Sequence, residues 1–320
     1  MEQATVLGTH VVKTNSKWKI FMKKIRQQRA LILIAIPIIL YELLFRYFPL
    51  WGWIMAFQDY SPGDELMKSE WIGFSNFREL FSNEDFLRVI RNTLAMSLLN
   101  LAAGTMSAIM LAVIINETRN VVFKKLVQTI SYLPHFVSWV VAANIVITLL
   151  SIDNGVFNTI LMKLHLIDKP ILWLAHEQYF WGIIAASDVW KNVGFGAIIY
   201  LATMSAIDPS LYEAASIDGG GRIAKIRYIT IPGIMPTIVI LLIMHIGGLL
   251  NTGFEQQLLL GNALVRNVSE VLDLYVLKYG ISMGRYSYSI AAGMFKSVVS
   301  IVLILIANRI AKRLGQSRLF

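Results

Sequence analysis

Ionisable side chains interrupt several long apolar stretches of this chain. Asp188 and Lys191 lie in one stretch, and His245 lies in another. A charge at the centre of a bilayer costs about 3 kcal/mol or more, so such groups normally face a partner, a wet cavity or a bound polar molecule. Simpler explanations stay open. Asp188 and Lys191 can pair with each other at their three-residue spacing, and His245, close to Gly247 and Gly248, can serve helix packing.

The other ionisable residues in the apolar stretches can likewise face a functional cavity or have a simpler structural role. Glu42 and Arg46 are four residues apart, so an ion pair on a helix surface explains them as well as a buried site does. Lys296 can extend its long side chain to the membrane surface or hold another helix. At 1.5 Å of rise per residue, these groups gather between mid-membrane and one side. This distribution is typical of a cavity that opens towards that side.

Motifs of catalysis are missing from the sequence. It contains no G-x-x-x-x-G-K-[ST] phosphate loop, no H-E-x-x-H and no G-x-S-x-G. The five histidines show no ligand spacing, and 219–221 is a glycine run without the spacing of a nucleotide-binding loop. We therefore expect no catalytic residue, no metal site and no cofactor bound by this chain. Three of the histidines lie in tails or loops, where solvation explains them.

Apolar composition defines the class of protein. Hydrophobic residues make up 56% of the chain, and the mean hydropathy is +0.59. About 20 mostly apolar residues span a bilayer as a helix. Six stretches qualify, and the second, third and fifth contain no Asp, Glu, Lys or Arg: 30–55, 92–116, 126–150, 179–206, 230–254 and 287–308. The sequence predicts an all-α integral membrane protein with six transmembrane helices.

Charge is distributed unevenly between the predicted loops. Seven Lys or Arg residues precede the first span against one Glu, whereas the first long loop after it is rich in Asp and Glu. This bias places both termini in the cytosol, with 1–28 as a basic cytoplasmic segment and 29–320 as the six-helix domain. The net charge of +9 thus reflects topology, and no basic stripe with interleaved aromatics indicates nucleic-acid binding. The first apolar run is too long for a cleavable signal.

A short polar segment, 208–232, separates the fourth and fifth spans. Asp208 followed by Pro209 is a helix N-cap signal, although Ser210 has capping-box spacing with a later Glu and leaves the start open. Glycines at 219–221 then break the helix. Small residues on the first helix suit close docking by a partner, while an ordinary cytoplasmic loop that caps two spans is the alternative.

This segment resembles the EAA loop of ABC importer permeases, in which two short coupling helices joined by a glycine turn dock on a separate ATPase. The resemblance implies the transmembrane domain of a type I ABC importer. The implied ATPase-coupling residues are Glu213, Ala214, Ala215, Asp218, Gly219, Arg222 and Pro232. Ile231 replaces the usual leucine of the motif, and Gly220 replaces a common alanine.

The outer loops resemble a narrower branch of these permeases. W-I-G-F-S-N-F at 71–77 resembles the amphipathic loop motif after the first helix of sugar-type permeases. Y-F-P-L-W-G at 47–52, P-H-F at 134–136 and Y-L-A at 200–202 are similar to permeases for complex oligosaccharides, related to the larger permease of the maltose importer. The resemblance implies that the protein is a permease of the bacterial cell membrane and that its cargo is an oligosaccharide. The implied partners are a second homologous permease, two cytosolic ATPase subunits that hold ATP and Mg²⁺, and an extracellular solute-binding lipoprotein.

In related sugar permeases the cargo contacts come from the helices that flank the EAA loop. The matching positions here are Asp188, Lys191, Asn192, Phe195, His245, Asn251 and Thr252. Planar hydrogen-bonding groups beside an aromatic face suit a sugar.

Three alternatives remain at this stage. A secondary transporter would need no ATPase, but the sequence shows no internal repeat. A membrane-integral enzyme would carry acidic clusters or metal motifs at one face. An amino-acid or phosphate permease also carries an EAA loop, although the long first outer loop and the 71–77 motif favour sugar.

Overall fold

The structure is a computed structural model that describes residue 24, residues 26–251, residues 253–313 and residue 315. Nearly all of the predicted basic segment 1–28 lies outside these described residues. The chain divides into two units, Met1–Ile54 and Met55–Phe320.

The described part of the first unit is helical. Helix α1 (Arg29–Glu42) continues as a π-helical turn, Leu43–Tyr47, and then into a 3-10 segment, Phe48–Phe57. The whole helical run of 29 residues is long and apolar enough to cross a membrane. Arg46 Nε lies 3.3 Å from the Glu42 carboxylate, so the helix-surface ion pair, one of the two interpretations of these residues, is present.

The described part of the second unit is also helical, apart from a short antiparallel ribbon of β1 (Gln58–Asp59) and β2 (Glu70–Trp71). Its α-helices are α2 (Ser75–Ser82), α3 (Glu84–Glu117), α4 (Val121–Tyr132), α5 (Trp139–Leu149), α6 (Val156–Lys163), α7 (Glu177–Ser205), α8 (Pro209–Ile217), α9 (Arg222–Lys225), α10 (Ile231–Gly247), α11 (Phe254–Leu260), α12 (Arg266–Ser269), α13 (Leu272–Leu277) and α14 (Tyr286–Arg313). Short 3-10 or π-helical turns lie at Leu133–Phe136, Trp173–Ala175, Ile226–Thr230, Leu249–Asn251, Ala263–Val265 and Lys278–Ser282.

The predicted membrane architecture is confirmed. Among the described residues, four helical runs can cross a membrane, and two bent helix pairs bring the number to six if each pair counts as one crossing. The four runs are Arg29–Phe57, Glu84–Glu117, Arg222–Gly247 and Tyr286–Arg313. The fold is therefore an all-α membrane bundle of the predicted class.

The third span differs from the uninterrupted helix expected over 126–150. Its two parts, Val121–Phe136 and Trp139–Leu149, meet at an angle of 106°. Pro134 lies in the 3-10 turn that ends the first part, and proline disfavours a continuing helix because it lacks an N–H group. Ser138 then restarts the helix, since its side chain accepts a hydrogen bond from Val141 N.

The fifth span also ends earlier than predicted. Helix α10 stops at Gly247 and is followed by a 3-10 turn, Leu249–Asn251, rather than continuing to 254. Two consecutive glycines at 247 and 248 weaken the helix at this point. Asn251 is therefore not part of the straight helix that carries His245.

Buried residues connect α3, α7 and α10 on one side of the bundle. Helices α3 and α7 pack against each other more extensively than any other described pair. Their shared core with α10 contains Ala108, Ala112, Ala197, Tyr200, Met204, Ile234 and Ile238. A second core, at the N-terminal end of α3, joins α2, α3, α13 and α14. It contains Leu80, Phe86, Val89, Leu272, Tyr275 and Tyr288.

Glycine permits the closest helix crossing in α7. A Cβ atom on Gly194 would lie 2.0 Å from the carbonyl oxygen of Ser131 on α4. One on Gly196 would lie 3.2 Å from the Ala108 side chain on α3. Small residues at such crossings let membrane helices approach closely. Helix α7 is thus held between α4 and α3.

We predict that Gly194→Ala destabilises the protein, because the new methyl group must push α4 away from α7. Overpacking of this kind costs about 1–3 kcal/mol, so the thermal unfolding midpoint should fall by several degrees. Gly182→Ala is the matched control on the same helix, since its Cβ would meet nothing within 4 Å. Equal midpoints for the two variants would contradict the close crossing.

Candidate functional site

A cavity of about 520 Å³ opens between four of the membrane elements. Helices α3, α7 and α10 and the break in the third span all contribute to its wall. Among the lining residues are Asn100, Thr105, His135, Asp188, Asn192, Phe195, Tyr200, Met244, His245 and Gly248. Four of the seven sequence-predicted cargo contacts therefore share one cavity.

A chain of hydrogen bonds runs along one wall of this cavity. Asn192 Nδ2 donates to Asp188 Oδ1 over 2.9 Å, and His135 Nδ1 lies 3.0 Å from Asn192 Oδ1. Because the ionised carboxylate of Asp188 can only accept a hydrogen bond, the NH₂ group of Asn192 must point towards it. The oxygen of the same amide then points to His135 and can accept a hydrogen bond only if His135 Nδ1 carries a proton. In a neutral imidazole this leaves Nε2 as the acceptor. The wall thus offers a defined set of polar groups.

Two stacked rings supply an aromatic part of the wall. The rings of His135 and Phe195 lie 4.0 Å apart between centroids and are within 5° of parallel. Phe195 keeps 45% of its surface exposed. A flat aromatic surface beside oriented hydrogen-bonding groups is the usual composition of a site for a small polar molecule.

Lys191 lies behind this wall and is not one of the residues that line the cavity. Its side chain is buried, and Nζ donates to the carbonyl oxygen of His135 over 2.9 Å. The ammonium group also lies 5.5 Å from the Trp139 ring centroid, in a cation–π position. The three-residue spacing suggested a pair with Asp188, but the described structure instead directs Lys191 to the break in the third span.

The remaining predicted contacts are placed differently. His245 lines the cavity. Asn251 lies in the turn after α10 and is not among the lining residues. Thr252 lies outside the described residues. Lys296, which could have faced a site, pairs with Asp273, as expected if it holds another part of the chain.

Two cavity residues were not predicted from the sequence. His135 was assigned no role in cargo binding, although with Pro134 and Phe136 it formed one of the recognised motifs. Asn100 lies in a span without charged residues, so its neutral amide gave no signal. It is 9% exposed, and its Oδ1 has no hydrogen-bond partner among the described atoms.

The polar segment between α7 and α10 forms the predicted pair of short helices. Asp208 is the N-cap of α8, and its carboxylate accepts a hydrogen bond from Ser210 N over 2.9 Å. That backbone hydrogen bond lowers the pKa of Asp208 below its ordinary value, because it favours the charged form. The helix therefore starts at Pro209, and the ambiguity between Asp208 and Ser210 is resolved.

A glycine turn joins the two helices. Gly219 has a φ of +76°, a conformation that residues with a side chain rarely adopt. Gly220 N then donates to the carbonyl oxygen of Ala215 over 2.7 Å. Lys225 Nζ donates to Ser216 Oγ across the turn. The hairpin of α8 and α9 is therefore fixed by its own contacts.

The outer face of this hairpin exposes large apolar side chains. Ile217 and Ile223 are 87% and 81% exposed, and Leu211 and Tyr228 are also exposed. Glu213 lies on the same exposed hairpin, with no ion pair among the described residues. An exposed apolar patch around a charge is typical of a protein interface.

An all-α membrane bundle with a polar cavity between its spans and an exposed helical hairpin at one end has the architecture of an importer permease. Residues 100–316 match the family described as the binding-protein-dependent transport system inner membrane component, and the chain belongs to this family. It is a permease subunit of an ABC importer and not an enzyme. Such permeases function with a second permease, ATPase subunits and a binding protein.

Two curated relatives match almost the whole chain. Protein LplB of Bacillus subtilis (strain 168) is 43% identical over 309 residues, which cover 97% of this chain and 96% of LplB. The polygalacturonan/rhamnogalacturonan transport system permease protein YteP of the same strain is 40% identical over 318 residues, covering 99% and 98%.

Solved structures of a bacterial importer of the acidic polysaccharide alginate are similar as well. One has a TM-score of 0.84 at 39% identity, covering 92% of this chain and 98% of that one. The other, in complex with an alginate pentasaccharide-bound periplasmic protein, has a TM-score of 0.86 at 38% identity, covering 93% and 99%.

We predict that Lys191→Met loosens the break in the third span. The carbonyl oxygen of His135 would lose its donor in a buried position, which costs about 1–3 kcal/mol. Hydrogen exchange should quicken in the peptide 133–139, and the thermal unfolding midpoint should fall. Lys163→Met, at an exposed position on α6, is the control. Unchanged exchange at 133–139 would show that Lys191 does not hold the break.

Proposed function

We propose that this chain forms the cargo-contacting part of an ABC importer for a carbohydrate, most simply an oligosaccharide released from a polysaccharide. The observation that carries the proposal is the cavity wall of Asp188, Asn192, His135 and Phe195. Sugars present hydroxyl groups at their edges and apolar C–H surfaces on their faces, so they require both oriented polar groups and aromatic rings.

The depth of the cavity agrees with a transport site. Asn192 is 15 residues after the start of α7, or about 22 Å along its axis, and His245 is about 21 Å from the start of α10. Asn192 is thus near the middle of the 29-residue α7, and His245 is two residues before the end of α10. Within a bilayer core of about 30 Å, both positions are inside the membrane rather than at its surface. A polar cavity at this depth fits a molecule in transit better than one bound at the surface.

The topology follows from the charge distribution. We place both termini and the α8–α9 hairpin in the cytosol of a bacterial cell, because basic residues concentrate there. The 58–82 segment, in which acidic residues predominate, is placed outside. In this orientation the cavity receives cargo from the binding protein on the outer side.

The α8–α9 hairpin is the proposed contact with the ATPase subunits. Exposed apolar residues around Glu213 would seat it in a groove of the ATPase, where the carboxylate would pair with a basic side chain. Ala214, Ala215, Asp218, Gly219, Arg222 and Pro232 complete the proposed coupling set. ATP and Mg²⁺ are expected on the ATPase subunits, which in closing would rotate the permease bundle between inward-open and outward-open states.

The relatives narrow the choice of cargo to test first. YteP is a polygalacturonan/rhamnogalacturonan permease by its name, and the similar solved importer carries the acidic polysaccharide alginate. Fragments that contain uronic acids should therefore be screened beside neutral oligosaccharides.

We predict that the importer, reconstituted with its partners in liposomes, accumulates one class of oligosaccharide and does so less well in the Asn192→Ala variant. Loss of the amide removes its own hydrogen bond to the cargo, which contributes about 0.5–1.5 kcal/mol, so the KM should rise about 2- to 13-fold. Asn144→Ala, on the exposed side of α5, should behave as wild type. Uptake of amino acids or phosphate, with no oligosaccharide taken up, would refute the proposed cargo.

We predict that Glu213→Ala uncouples the ATPase from cargo. A charged hydrogen bond contributes about 1.5–3 kcal/mol, so cargo-stimulated ATP hydrolysis and transport should both fall about tenfold or more. Asp188 and the cavity would be intact, and cargo binding should persist. Glu84→Ala, at an exposed position of α3 on the opposite side of the membrane, is the control. Full stimulation in Glu213→Ala would remove the coupling role.

A further inference from the structure

The segment between the first two spans forms a compact structure beside the ends of three membrane elements. The β1–β2 ribbon directly follows the helical run that ends at Phe57, and α2 directly precedes α3. Asn76 Nδ2 donates to the carbonyl oxygens of Ala56 and Gln58, over 3.0 and 3.3 Å, in a buried position. The start of α2 is thereby fixed to the backbone at Ala56 and Gln58.

The far side of α2 is fixed to the last span. Glu79 accepts two hydrogen bonds from Arg285 Nη2, at 2.8 and 2.7 Å. Phe81 packs on Phe295 of α14 at 5.4 Å between ring centroids. Phe295 is nine residues beyond the start of α14, or about 13 Å along its axis. Phe81 is therefore at the level of the membrane rather than above it.

Aromatic side chains nevertheless remain uncovered on this segment. Trp71 is 61% exposed, Phe74 is 70% exposed and Phe81 is 47% exposed. Trp71 is paired with Gln58 in the ribbon, immediately after the first span. Phe74 lies 5.4 Å from Phe57, the last residue of that span.

The side chains of α2 fall into three sectors. At 100° per residue, Phe74, Phe77 and Phe81 lie within an arc of about 60°. Asn76 and Leu80 form a buried sector. A third sector, containing Ser75, Glu79 and Ser82, is exposed and polar. A short helix with a protein side, an apolar side and a polar side suits the boundary between protein, lipid and water.

We propose that Trp71, Phe74 and Phe81 insert into the outer leaflet of the bilayer, so that 71–82 anchors the outer end of the bundle to the lipid surface. Beyond Phe295, the partner of Phe81, helix α14 exposes further apolar side chains at Val298, Ile301 and Val302. Indole and phenyl rings favour the interfacial region. The anchor rests on the proposed function only for the orientation of the chain in the membrane, which makes the leaflet the outer one.

Electrostatics has little part in this anchor. Acidic residues outnumber basic ones in the segment, since only Lys68 and Arg78 oppose Asp59, Asp64, Glu65, Glu70 and Glu79, so anionic lipid gives it no net attraction. Insertion of the apolar rings supplies the affinity. The anchor should therefore work in zwitterionic phosphatidylcholine and be insensitive to salt.

Site-directed spin labelling tests the proposal directly. The chain contains no cysteine, so Phe74→Cys and Trp71→Cys each provide a unique labelling site, and Asp64→Cys at the exposed ribbon tip is the control. The labelled importer, assembled with its partner subunits in phosphatidylcholine nanodiscs, is measured by power saturation with oxygen and with a water-soluble nickel complex. We expect oxygen to be the stronger relaxant at 71 and 74, and the nickel complex at 64.

Two results would overturn the anchor. The first is a label at 71 and 74 that is as accessible to the nickel complex as the label at 64. The second is a label at 74 that becomes shielded only when the cargo-loaded binding protein is added, because the surface would then belong to that protein. A transport assay on the labelled and unlabelled importers in liposomes, which unlike nanodiscs enclose a volume for uptake, separates this question from the cargo. Failure of oligosaccharide uptake in the unlabelled protein would count against the proposed function alone.

Discussion

The hydrogen bond from Lys191 Nζ to the carbonyl oxygen of His135 is the contact on which the cavity depends. Inside a membrane, a broken helix leaves backbone groups that water cannot reach, and each needs a partner from the protein. The third span turns through 106° between its two parts, and a buried lysine satisfies the carbonyl at that turn. The break in turn places the His135 ring against Phe195 and its Nδ1 against Asn192. A charge that looked like a cargo contact therefore supports the residues that line the cavity.

The cavity and the α8–α9 hairpin are connected by one uninterrupted helix, α7, whose middle and C-terminal half line the cavity. Helix α7 runs without interruption for 29 residues, and only Ala206, Ile207 and Asp208 separate it from α8. Gly194 seats α7 against α4 with no room for a methyl group. Under the proposed coupling, movement of the hairpin would therefore reach Asp188 and Asn192 through packed backbone rather than through flexible side chains.

Local chemistry explains how much of the structure could be predicted. The six crossings follow from hydropathy, and the hairpin follows from Asp208, Pro209 and the glycine run, because capping and left-handed turns are decided by neighbouring residues. The partner of Lys191 and the position of His135 depend on contacts 56 residues apart in sequence, which spacing on one helix does not reveal. Asn100 was missed for a different reason, since a neutral amide scarcely changes the hydropathy of its span. The end of α10 at Gly247, seven residues before the predicted end of the fifth span, was also not predicted from the sequence.

Asp188, Asn192 and Phe195 occupy positions i, i+4 and i+7 of α7, so they share one stripe along a helix that contains no proline. No kink lies between these side chains and the end of α7 that adjoins the hairpin, so the proposed ATPase movement would rotate all three together. The contacts of Asp188, Asn192 and Phe195 with cargo would then change at the same moment as the hairpin moves. In the proposed importer, this rotation would release the cargo without any further moving part.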